Sequence, residues 1–283
     1  MAPASSNLFL AKSAPLEYWF WKFHSGDLAF LVDFIVRRRL DEGEIRVSLW
    51  VQGRGRVVRL KSRTWSAGAS GVSIEGHELT AEGSRGSVED VTWDLSWQHG
   101  SHLVSSHPKL LGPLHPLDLE HLLLPDAQFS GSVTVAGVDY PIHDVPGLFM
   151  NYWGRRLGDH WCWISATEFA DDPRRRVEVL VARSSLWGQT WVQVPAAYLW
   201  TADEDGSEFT ISPMSGLIRQ RRRGMAVEIR GIRLDGTRHR ILCEADAAAF
   251  NDLGEGIYQT LLADLIFDGH HAVPERTGLE FRG

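Results

Sequence analysis

The chain has 283 residues, more than a single hydrophobic core usually serves, so one large β architecture or two medium domains is expected. Apolar residues make up 43% and charged residues 23%, which excludes disorder over most of the length. The net charge of −7 opposes binding to a polyanion such as nucleic acid unless basic groups gather on one face.

At the N-terminus Leu8-Phe9-Leu10-Ala11 is too short for the apolar region of a secretory signal. No stretch approaches the ~18 uninterrupted apolar residues of a membrane helix, so the expectation is a cytoplasmic protein without a transmembrane segment. From Glu17 to Phe23 a period of two puts Glu17, Trp19, Trp21 and Phe23 on one face of a strand, and Tyr18, Phe20 and Lys22 on the other. Ser25-Gly26-Asp27 reads as a hairpin turn into a second strand over Leu28 to Val36. Further strands are predicted at Ile45 to Gln52, Val57 to Ser62, Val72 to Ile74, Leu79 to Glu82 and Ser87 to Gln98. Their regular spacing suits a sandwich or barrel.

Between His99 and Pro125 the alternation breaks into a long crossing loop with a Leu-rich stretch. Strands resume at Phe129 to Val135, turn at Ala136-Gly137 and return through Val138 to His143. A soft boundary is placed at Val145 to Gly158, giving domains 1–150 and 151–283. The second set contains His160 to Ala166, Val177 to Arg183, Thr190 to Val194, Ala197 to Thr201, Glu208 to Ile211, Met225 to Leu234 and His239 to Ala245, with Ile257 to Phe267 as a final apolar stretch, read as strand. Cys162 and Cys243, the only two cysteines, sit in apolar runs and read as buried reduced thiols. Arg37-Arg38-Arg39, Arg174-Arg175-Arg176 and Arg219 with Arg221-Arg222-Arg223 lie beside turns or acids and read as solvated strand ends or loops.

Twelve tryptophans against five tyrosines is the most unusual number in the composition. Trp19 with Trp21, Trp93 with Trp97, Trp161 with Trp163, and Trp187 near Trp191 are spaced to share strand faces and build aromatic walls. Such walls either fill a core or line a pocket for flat, unsaturated guests; the four pairs together favour the pocket.

Glu17-Tyr18-Trp19-Phe20-Trp21, Gly131-Ser132-Val133-Thr134-Val135, Tyr140-Pro141-Ile142, Trp153-Gly154 and the Trp161 and Trp163 pair resemble the core of the AttH-like superfamily. That group includes carotenoid hydratases, is similar to tocopherol cyclases, and contains lipocalin-like Diels–Alderases. The resemblance implies an all-β calycin fold of two packed lipocalin-like domains. It departs where the family's acid-bearing Tyr-His-Asp-His-Asn is replaced by Leu148-Phe149-Met150-Asn151-Tyr152. The missing acid weakens a hydratase reading, because protonating an alkene carbon needs a strong, positioned acid. Glu17, Asp94, Asp159 and Glu168 are the candidate replacements.

The resulting expectation is a cofactor-independent cyclase that folds an apolar polyene, of isoprenoid or polyketide origin, between tryptophan walls. Glu17, Asn151 and Tyr152 are its candidate catalytic residues, and Trp19, Trp21, Trp93, Trp97, Trp153, Trp161, Trp163 and Trp187 its candidate substrate-binding residues. The alternatives are a hydratase or isomerase of an isoprenoid double bond, and a carrier that binds without chemistry. His99, His102, His107, His115 and His121, with Asp118 and Glu120, crowd one loop, but their spacing matches no familiar metal signature, so no metal is expected. Nucleotide-binding, zinc-protease and α/β-hydrolase motifs are absent.

Overall fold

The computed structural model describes residues 14–98, 104–105, 119–154, 160–186, 189–202, 208–211 and 216–282. Among them the regular structure is β-strand and short 3-10 turns, and no helix is long and apolar enough to cross a membrane. The chain forms two compact units, the first drawn mainly from the chain up to Arg156 and the second mainly from Leu157 onward.

The first unit begins with β1 (Leu16–Ser25), β2 (Leu28–Arg37), β3 (Glu42–Val51) and β4 (Arg54–Ser62). It continues through β5 (Trp65–Gly68), β6 (Gly71–Ile74), β7 (His77–Leu79), β8 (Gly83–Val88), β9 (Val91–Gln98), β10 (Val104–Ser105), β11 (Leu119–Val135) and β12 (Val138–Gly154). These twelve strands form one sheet in the order β4-β3-β2-β1-β12-β11-β9-β8-β7-β6-β5, with β10 beside β11. The sheet curls into a nearly closed barrel: a Cβ on Gly43 of β3 would lie 3.0 Å from the Cβ of Trp65 on β5. Arg38 adds to the closure by standing 5.4 Å over the Trp65 ring.

The alternation anticipated for β1 holds in full. Trp19, Trp21 and Phe23 face inward with Phe30, Val32 and Phe34 of β2 and Ile45, Val47 and Leu49 of β3. Burying each such side chain contributes about 1.5–3 kcal/mol, so this strip is a substantial part of what stabilises the barrel. The expected turn at Ser25-Gly26-Asp27 is also present, with Gly26 at φ +54°, a conformation glycine takes without a Cβ clash.

One expectation for this half is corrected. Leu119 to Pro125 is not loop but the start of β11. Pro125 and Asp126 together oppose the one residue Leu148, and this bulge accommodates a proline that has no N–H to pair. Val145 to Gly154 is the second half of β12, and the two units divide just beyond it, at Arg156 and Leu157, within the stretch where the boundary was placed. Gly147 there is a packing glycine, since a Cβ would lie 2.2 Å from the carbonyl oxygen of Lys22.

The second unit holds β13 (His160–Ala166), β14 (Arg176–Leu186), β15 (Gln189–Ala202), β16 (Glu208–Ile211), β17 (Gly216–Arg223), β18 (Ala226–Arg233) and β19 (Arg238–Glu244). It closes with β20 (Asn251–Gly254), β21 (Ile257–Thr260), β22 (Asp264–Phe267), β23 (His270–His271) and β24 (Thr277–Arg282). One sheet runs β16-β15-β14-β13-β24-β21-β20 and the other β17-β18-β19-β22-β23. Ile257 to Phe267, read as a single stretch, therefore divides into two strands that serve different sheets. Cys162, Ile164 and Val179 of the first sheet share a core with Ile229, Ile241 and Cys243 of the second. Both cysteines are buried and neither forms a disulfide, as expected, and burial pushes the Cys162 thiol up to about 12.

Candidate functional site: a buried polar cluster on the outer barrel face

The face of β1, β2, β3 and β12 turned away from the barrel core is as buried as the core itself. Its rows follow from register: Tyr152, Tyr18, Ile35 and Glu44; then Met150, Phe20, Asp33 and Arg46; then Leu148, Lys22, Leu31 and Ser48. Every one of these residues is buried, and Lys22, Asp33 and Ser48 are each 0% exposed. Ionisable side chains are rarely buried this fully, because each must replace its lost hydration with partners.

Tyr18, Asp33 and Arg46 supply those partners to one another. The Tyr18 hydroxyl donates to Asp33 Oδ1 at 2.6 Å. Arg46 donates from Nε to Asp33 Oδ2 at 2.5 Å and from Nη2 to the Tyr18 oxygen at 2.8 Å. Burial pushes the Asp33 carboxyl above its ordinary value, outweighing the opposing pull of Arg46 and of the hydrogen bond from Tyr18; nearby Glu44 pushes the same way. The Ser48 hydroxyl, two residues along β3 from Arg46, makes no hydrogen bond among the described residues. Around the polar groups lie Phe20, stacked on Tyr152 at 6.1 Å, with Tyr18 at 6.0 Å from Tyr152. The face thus pairs a carboxyl whose burial favours its protonated form with an apolar, aromatic surround, a combination suited to proton transfer away from water.

The residues predicted from sequence are distributed differently. Glu17 is buried on the barrel side and forms an ion pair with Arg38 at 2.7 Å. Asn151 and Tyr152, expected to act together, are neighbours on one strand and point to opposite faces. Asn151 turns inward opposite Trp19 and donates to the carbonyls of Tyr18 and Tyr152 at 3.3 and 3.4 Å. Tyr152 lies on the outer face with the cluster.

Among the tryptophans of the first unit, Trp19, Trp21, Trp93 and Trp97 belong to the barrel core, with Trp153 packed at its margin. Trp21 stands 5.6 Å from Phe30, 5.8 Å from Phe129 and 6.1 Å from Trp97, so these rings pack on one another as core aromatics do. Trp93 and Trp97 donate to Ser84 and to the Ala81 carbonyl at 2.9 and 3.0 Å. In the second unit Trp161 and Trp163 share the sheet face opposite the core, as their spacing predicts. Trp161 donates to Glu280 at 2.8 Å and Trp163 to Glu178, itself almost wholly buried.

Of the proposed replacement acids, Asp94 is exposed and Glu168 is paired with Arg276 at 3.3 Å. Trp187, Asp159, His99, His102, His107, His115 and Asp118 lie outside the described residues, as do the side chains of Trp191, Glu120 and His121. Among the described residues no group of three or more His, Cys, Asp or Glu is gathered to hold a metal.

Asp33, Arg46 and Lys22 were not singled out in the sequence, yet each carries a legible signal. Asp33 is the lone charge in Leu28-Ala-Phe-Leu-Val-Asp-Phe-Ile-Val36, a run that otherwise reads as a strand buried on both faces. Lys22 and Arg46 break their own apolar strands at the matching parity.

No family model matches the sequence, and no curated protein matches it significantly. Solved structures do match. A candidate AttH from Nitrosomonas europaea superposes with a TM-score of 0.70, covering 100% of this chain and 96% of its own at 16% identity. The fold is the AttH type. Kievitone hydratase from Nectria haematococca follows at a TM-score of 0.65, covering 98% of this chain and 91% of its own at 9% identity. The AttH-like resemblance drawn from Glu17 to Trp163 is thus matched by a lipocalin-like fold over the whole chain, and at these identities the likeness is one of fold.

Proposed function

We propose that this AttH-type chain is a cofactor-independent enzyme that adds water to, or shifts, a double bond of an apolar unsaturated small molecule by acid catalysis. The observation that carries the reading is the wholly buried Asp33 carboxyl, bonded to Tyr18 and Arg46 on an apolar, aromatic face. A hydratase with the same fold, kievitone hydratase, supports it.

In this reading the Tyr18 hydroxyl passes its proton to a substrate carbon, while the Arg46 guanidinium stabilises the negative charge left on the phenolic oxygen. The cation left on the substrate takes up water, and the proton that water sheds returns to the Tyr18 and Asp33 pair, so the enzyme ends unchanged. Isomerisation differs only in that the cation loses a neighbouring proton instead. Phe20 and Tyr152 offer ring faces that stabilise the transient positive charge. Ser48 Oγ, a buried hydroxyl without a hydrogen-bond partner among the described residues, would hold the water or a polar group of the substrate.

The cyclase expected from sequence competes with this reading, and so does the carrier. Turnover of linear isoprenoids and other polyenes in water enriched in oxygen-18 separates all three. Incorporation of labelled water marks hydration, the NMR spectrum of an unlabelled product of unchanged mass tells a shifted double bond from a new ring, and unaltered recovery of a bound guest marks a carrier. Tyr18→Phe should cut turnover by about 10²–10⁴-fold, the usual contribution of a general acid, while the near-ultraviolet spectrum still reports a folded protein. Turnover unaffected by Tyr18→Phe would remove the cluster from the mechanism.

A further inference from the structure

The five-stranded sheet of the second unit has an exposed face of unusual character. Its other face gives Val227, Ile229, Ile241 and Cys243 to the core, so by strand alternation the outward set begins with Leu217 on β17 and Ile232 on β18, directly opposite each other. Leu217 is 75% exposed, Ile232 42%, and Leu234, in the loop that follows β18, 82%. Single exposed leucines are ordinary, but three large aliphatic side chains from one hairpin pair are not.

Beside them the same face is basic. Arg219, Arg230 and Arg240 lie directly opposite one another across β17, β18 and β19. Like charges in that relation repel, and a sheet does not stabilise itself by placing them so. Glu228 offsets part of the repulsion by accepting from Arg230 and Arg240 at 2.9 and 2.8 Å. Arg219, Arg221, Arg223 and Arg238 have no carboxylate partner among the described residues. This concentration of positive charge runs against the −7 of the chain as a whole.

We propose that this face docks on an anionic lipid surface, with Leu217, Ile232 and Leu234 entering the headgroup boundary and the arginines meeting lipid phosphates. The chemistry selects that partner over others. A nucleic acid would answer the arginines but gain nothing from three exposed aliphatic chains. A second copy meeting the same face would set arginine against arginine. An anionic bilayer satisfies both features, since basic side chains near such a surface gain from its potential while aliphatic ones gain from the acyl boundary. The inference stands whether or not the outer barrel face is the catalytic one.

Flotation with phosphatidylcholine vesicles, with and without phosphatidylglycerol, tests it. The full chain should float with the anionic vesicles only, and added salt should release it. Each basic side chain near such a leaflet is worth about a fivefold gain in partitioning, so Arg219→Gln, Arg221→Gln and Arg223→Gln together should lower binding roughly a hundredfold. The corresponding Arg→Lys triple should retain most of it, separating charge attraction from damage to the sheet. Leu217→Ser with Leu234→Ser should weaken binding about tenfold or more at unchanged charge. Absence of binding, equal binding to neutral vesicles, binding unaffected by either set of substitutions, or equally tight binding of a DNA duplex would overturn the proposal.

Discussion

At the scale of single residues, Asp33 makes the sharpest claim. Its folded-state carboxyl titrates above the ordinary 3.8 at which the unfolded chain releases the proton. Between those two values the folded state binds the extra proton, so the stability Asp33 contributes is fully present below 3.8 and falls as the pH rises through its folded value. Urea denaturation across that range should therefore show the wild type losing stability relative to Asp33→Asn, with a slope of at most about 1.4 kcal/mol per pH unit. Parallel profiles for the two proteins would mean that Asp33 is already ionised there. The residue scale also explains where sequence reasoning stopped. Glu17 was a candidate for proton transfer, and Arg38, distant from it in the chain, pairs with its carboxylate. Asn151 and Tyr152 were both candidate donors to a substrate, and as adjacent residues on one strand they face opposite ways.

Among the strands, most of the pattern was legible because alternation and turn chemistry are local. The inward set of β1, the hairpin at Gly26 and the pairing parity of Trp161 and Trp163 follow from period two alone. β11 and β12 were harder to read, since both contain residues that usually end strands. Pro125 is tolerated by a bulge, and Gly147 is needed where the backbone of β1 comes close. Neither circumstance is visible until the neighbouring strand is in place. Gly131 marks a second irregularity of β11, at φ +135°, where a Cβ would lie 2.1 Å from the Asp94 carbonyl oxygen. Gly131→Ala should destabilise the protein by about 1–3 kcal/mol or more, because both the backbone conformation and the space forbid the methyl group. A lowered urea midpoint at unchanged slope would register it, and a midpoint equal to that of the wild type would show that β9 and β11 can part without cost.

For the molecule as a whole, two units with separate cores divide the chemistry of the chain. Cys162 and Cys243 both belong to the core of the second unit, and both are wholly buried. The native protein should accordingly react with no equivalent of a water-soluble disulfide reagent over minutes, and with two after unfolding in guanidinium. Rapid reaction of either thiol in the native state would show that this core opens locally. The sequence by itself determined the all-β class, the facing of the strands, the reduced cysteines and the AttH-type resemblance, because strand period, turn residues and apolar runs are encoded within a few neighbouring positions. Only the tertiary structure decided which charged side chains meet. Tyr18, Asp33 and Arg46 come from three strands, and their contact depends on hairpin register and on burial of a second sheet face, both properties of the assembled sheet.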